Sequence, residues 1–133
     1  MSSPGPATAP VPVPASITYG RIAAQVSVTD IARALDFYVG VLGFQKVFEN
    51  GQPVGFVILE RQGAELHLSL DRRHKATTQN QAHLMVDNAN ALHDHLVAHG
   101  ARIIKGLRDA DYRMRGFVFC DPDGNRIDVG QDL

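Results

Sequence analysis

The chain has one cysteine, no tryptophan and almost no net charge, and each scarcity excludes something. Cys120 alone can neither close an internal disulfide nor build a multi-cysteine zinc site, so a reducing, cytoplasmic setting is expected. A formal charge of -1 gives no bulk attraction to nucleic acid or to an anionic membrane, and no basic stripe crosses the sequence. No apolar run approaches the roughly 20 residues of a membrane helix. Phosphate loops, nucleotide fingerprints and a Ser-His-Asp order are missing as well. What is there, 133 residues with 44% apolar and 20% charged side chains, suits a single globular domain with a working core.

Proline is scarce except at the start, where five of the seven fall within the first sixteen residues. No Lys or Arg precedes Arg21, which argues against a signal peptide. Residues 1–16 are therefore expected to be a disordered or extended tail; the alternative is an arm laid across a partner subunit. Residues 17–133 are expected to form the single domain.

That domain reads twice. Ile22, Ala24, Val26 and Val28 alternate with Arg21, Ala23, Gln25 and Ser27, the period of a strand. Asp30 is a natural N-cap for a helix carrying Ile31, Ala34, Leu35, Tyr38, Val41 and Leu42, with Gly43 placed to end it. Strands follow around 44–49, 54–60 and 65–70. The order then repeats. Ala82, Leu84 and Val86 alternate with Gln81, His83 and Met85; Asn88 caps a helix with Ala89, Leu92 and Leu96; Gly100 ends it; strands follow near 102–107, 115–120 and 126–130. The expected fold class is α+β, two βαβββ modules (about 21–72 and 78–131) forming curved mixed sheets around a cavity.

Three stretches carry a resemblance: Asp30 through Tyr38 and on to Leu42-Gly43-Phe44; Val86-Asp87-Asn88 through Leu92 to Gly100-Ala101; and Phe119-Cys120-Asp121-Pro122-Asp123-Gly124-Asn125. Together, over roughly residues 21–131, they resemble the vicinal oxygen chelate superfamily of glyoxalase I, extradiol dioxygenases, and fosfomycin- and bleomycin-resistance proteins. Taken alone, the Asp121–Asn125 stretch reads as a hairpin turn, and Phe37, Tyr38 and Phe44 read as core. The fold hosts many functions and does not choose among them.

The resemblance implies a divalent metal held from the first and last strand of each half, here Ala23, His67, Gln81 and Asp128. Ala23 cannot ligate, Gln81 is a poor ligand, and His67 and Asp128 are competent. A shifted set of His67, His83 and Asp128 would match non-haem iron. The preferred reading is a small-molecule-binding protein of the bleomycin-resistance type, a homodimer that sequesters a planar or cationic antibiotic in a dimer cleft with no cofactor. Its ligand-binding candidates are Gln25, His67, Gln81, His83, Arg115, Phe117, Phe119 and Asp128, with Phe48, Phe56 and Tyr112 as aromatic walls. The alternative is a metal-dependent lyase, dioxygenase or thiol transferase using one divalent ion on His67, Gln81 and Asp128. His95 and His99 share a solvated helix face, Arg72 to Lys75 read as a linker, and Cys120 as a small buried hydrophobe.

Overall fold

A computed structural model describes residues 9–133; residues 1–8, half of the expected tail, lie outside the described residues. Residues 9–23 form no helix or strand, and Val11, Tyr19 and Ile22 are well exposed there.

The two halves follow in order. The first is β1 (Ala24–Val28), α1 (Ile31–Tyr38), β2 (Gln45–Asn50), β3 (Phe56–Arg61) and β4 (Ala64–Leu70). The second is β5 (Asn80–Met85), α2 (Ala89–Ala98), β6 (Arg102–Ala110), β7 (Met114–Cys120) and β8 (Arg126–Asp132). Each makes a four-stranded mixed sheet, ordered β1-β4-β3-β2 and β5-β8-β7-β6, in which the first and last strands pair in parallel and the others antiparallel. The two expected caps form: Asp30 accepts from the Arg33 N–H and Asn88 from the Ala91 N–H. α1 ends at Tyr38, earlier than its apolar pattern reaches, because Val39 to Leu42 make a further tight turn before Gly43 at φ +77°.

One face of each sheet is covered by helices, and these covered faces share a single core. Val26, Val28, Val57, Leu59, Leu66 and Leu68 enter it from the first sheet, and Phe117, Phe119, Ile127 and Val129 from the second. Phe37 of α1 reaches across to Phe119, with ring centroids 6.1 Å apart. The turn between β7 and β8 forms the polar part of the joint. Asp121, buried, accepts from the Tyr38 hydroxyl at 2.7 Å, from the backbone of Asp123 and Asn125, and from the Asn125 amide. Asn125 also donates to the carbonyl of Ser27, and Asp123 takes Thr29 and Arg33. A stretch that reads in sequence as a turn is therefore also the clasp between the halves. Gly124, at φ +77° and against Ala76, has room for no side chain.

Candidate functional site

Among the described residues no helix lies over the other face of each sheet, and strand register sets its side chains in rows. In the first sheet Gln25, His67, Ile58 and Phe48 lie side by side across β1, β4, β3 and β2. In the second, His83, Asp128, Val118 and Lys105 lie across β5, β8, β7 and β6. The repeat thus sets Gln25 against His83 and His67 against Asp128 as equivalents.

Each open face holds a histidine paired to a carboxylate. His67 Nε2 donates to Glu65 at 2.7 Å, and Arg21 bridges Glu65 and Glu60 at 2.7 and 3.0 Å. The His67 hydrogen bond first, and Arg21 beside it, hold the Glu65 carboxyl below its ordinary range. Phe56 stands edge-on to His67 with centroids 5.4 Å apart, and Phe48 stands edge-on to Phe56 at 6.3 Å, so two of the expected aromatic walls are on this face. In the second sheet, His83 Nδ1 donates to Asp128 at 2.8 Å, and Tyr112, 74% exposed, sits at the β6–β7 turn.

Three expected ligand-binding residues are elsewhere. Arg115, Phe117 and Phe119 share the helix-covered face of β7. Phe117 and Phe119 are 2% and 0% exposed, with His93 of α2 against Phe117 and Phe37 of α1 against Phe119. Arg115 is spent on Asp109 and Asn90. Packing by both helices chose this parity, which strand alternation alone leaves free. The open face of β7 belongs instead to Met114, Gly116 and Val118, which the sequence reading passed over. Taking Phe117 and Phe119 as core would have given that face to their neighbours.

The donors at the four metal positions do not fit one divalent ion within a chain. Ala23 offers none, Gln81 donates to the Gln79 carbonyl, His67 is tied to Glu65 and Asp128 to His83. Among the described residues no group of three or more His, Cys, Asp or Glu is assembled for a metal. Nor do the described residues of a single chain form a deep cavity over the second sheet. The depression over the second sheet, bordered by Lys105, Arg108, Tyr112, Met114 and Asp128, holds about 50 Å³. Cys120 is buried, and burial pushes its thiol pKa up, which suits a core residue rather than a nucleophile.

The sequence profile of the Glyoxalase/Bleomycin resistance protein/Dioxygenase superfamily matches residues 19–129. No curated protein matches the chain in sequence. Among solved structures it is similar to a member of the same superfamily from Sphaerobacter thermophilus, at 27% identity and TM-score 0.74 over 88% of this chain and 99% of that one. It is also similar in fold to a bleomycin resistance determinant encoded on the transposon Tn5 (19% identity, TM-score 0.74, 86% and 98% covered). The bleomycin-binding protein of bleomycin-producing Streptomyces verticillus, solved with copper(II)-bleomycin, is a third (20% identity, TM-score 0.71, 88% and 98% covered).

Proposed function

The chain belongs to the Glyoxalase/Bleomycin resistance protein/Dioxygenase superfamily, and we propose that this member binds a small planar or cationic molecule without a metal, in a cleft completed by a second copy of itself. One observation carries the reading: each open face holds a histidine–carboxylate pair, the first with Phe48 and Phe56 beside it, yet the described residues of one chain close no ligand-sized space around them. A depression of about 50 Å³ is far below the roughly 300–1,000 Å³ of drug-sized sites. Phe48, Met85 and Tyr112 are 49%, 46% and 74% exposed on or beside those faces, a pattern that suits burial against a partner. A two-fold pairing makes each contact twice and so gives two equal clefts. Phe48 and Phe56 would stack on a planar ligand, and Glu65, Asp128 and the two histidines would orient it. Two relatives in fold are bleomycin-binding or bleomycin-resistance proteins, which makes a bleomycin-type drug the first ligand to try.

The test is calorimetric titration of untreated and chelator-treated protein with such a drug. Equal binding in both, at two ligands per dimer, supports the proposal. The competing reading, a metal enzyme, draws on the equivalence of His67 and Asp128 in the two sheets. Stoichiometric zinc, iron, manganese or nickel in untreated protein, released by His67→Ala or Asp128→Ala together with a loss of turnover, would replace the binder with that enzyme.

A further inference from the structure

Over the second sheet, next to the His83–Asp128 row, two cross-strand partners lack side chains: Gly130 on β8 faces Gly116 on β7 and Met85 on β5. The result is a trough floored by backbone. Three soft or borderline donors lean over it. Met85 Sδ lies 3.1 Å from His83 Nε2. Met114 Sδ and His83 Nε2 lie 2.7 and 3.1 Å from the point where a Cβ on Gly130 would stand. Of the three methionines in the sequence, Met85 thus touches the imidazole nitrogen, and Met114 shares with it the space directly over Gly130.

The protonation of that imidazole decides what the cluster suits. A carboxylate can only accept, so the bond to Asp128 places a hydrogen on His83 Nδ1. In the neutral ring Nε2 then carries a lone pair, and it faces a thioether whose sulfur also offers lone pairs. A carboxylate behind the ligating ring is the usual support of a metal-bound histidine, fixing its tautomer and raising its basicity. Thioethers select soft ions such as copper(I) and suit magnesium or calcium poorly. Arg108 lies in the Gly116–Gly130 row, at the far side of the trough, which disfavours a doubly charged ion further.

We infer that His83 Nε2, Met85 Sδ and Met114 Sδ form a binding site for a soft monovalent cation, copper(I), with Asp128 as the positioning residue behind His83. None of the three donors is among the four divalent-metal positions, of which only Asp128 recurs, as the support behind His83, and the site does not rest on the drug-binding reading. Filling it changes no oxidation state when the ion arrives already reduced. Cys120, on the same strand as Met114, is buried and is not a donor here.

The test uses the full chain under anaerobic, reducing conditions and the copper(I)–bicinchoninate complex as the copper source. The protein is expected to withdraw one copper(I) per chain and to leave zinc unbound at this site. Met85→Leu and Met114→Leu nearly conserve side-chain volume, so folding persists, which thermal unfolding without metal verifies. Each is expected to weaken copper(I) about tenfold or more, and His83→Ala to abolish it. Asp128→Asn is expected to weaken it less than His83→Ala, because the ring keeps Nε2 but loses its anchor. Cys120→Ser is expected to leave it unchanged. In protein carrying methyl-labelled methionine, the Met85 and Met114 methyl resonances should shift with copper(I) or silver(I). No transfer from bicinchoninate, or transfer indifferent to both methionine substitutions, would overturn the inference.

Discussion

The Tyr38 hydroxyl donates to the Asp121 carboxylate at 2.7 Å across 83 residues of sequence, tying α1 of the first half to the β7–β8 turn of the second. Burial first, and then the neighbouring Asp121 charge, raise the tyrosine pKa well above its ordinary 10.0, so the phenol remains a donor wherever the fold survives. Tyr38→Phe keeps the ring packed and removes the bond. It should lower stability by about 1–2 kcal/mol, while Asp121→Ala, which strands four donors, should cost more than about 3 kcal/mol. Urea unfolding measures both. Because the unfolded tyrosine ionises near 10.0 and the folded one does not, wild-type stability should also fall as pH rises above 10.0. Tyr38→Phe should remove that part of the alkaline loss.

Acid acts through Glu65. Its carboxyl is held below the ordinary value of 4.5, mainly by the hydrogen bond to His67, with Arg21 adding to it. A depressed acid favours the folded state fully above 4.5, and that contribution disappears as pH falls from there through the lower folded value. A melting-temperature series in acid should show a shallower decline for Glu65→Gln than for wild type. Parallel curves would mean that the pair contributes nothing.

The correction at β7 separates folding from binding. Phe117→Ala removes a ring held at 2% exposure between β7 and α2, and should cost about 3–5 kcal/mol by creating a cavity. Phe48→Ala, half exposed on the open face, should cost far less stability but should weaken binding of a planar ligand. Titration and denaturation of the two variants should therefore give opposite rankings.

The dimer proposed for the cleft should appear in solution as about twice the 14.5 kDa of one chain. Light scattering at micromolar concentration decides it, and a monomer would remove the cleft.

Residues 1–16 should be dispensable for folding, since the described part of this stretch, 9–16, is exposed and has no helix or strand. A chain starting near Ser16 should melt within a few degrees of the full one. A large drop, especially one accompanied by loss of the dimer, would assign the stretch to an arm across the partner.

Local chemistry settled most of the architecture before any tertiary contact was known. Alternation at 22–28 and 82–86, the caps Asp30 and Asn88, and the left-handed glycines 43 and 100 each act over a few residues, so the sequence carries them directly. The repeat added the pairing of two modules, because one βαβββ unit cannot cover its own apolar face, while the strand order within each sheet came from the tertiary structure. Tertiary structure decided the rest. Which parity of β7 turns inward depends on Phe37 and His93 arriving from helices far away in sequence, and alternation alone is blind to it. Asp121 reads as a turn residue until Tyr38 reaches it. Gly116, Gly130, Met85 and Met114 have no motif spacing; strand register alone makes them neighbours, and so the trough beside His83 exists only once the sheet has paired.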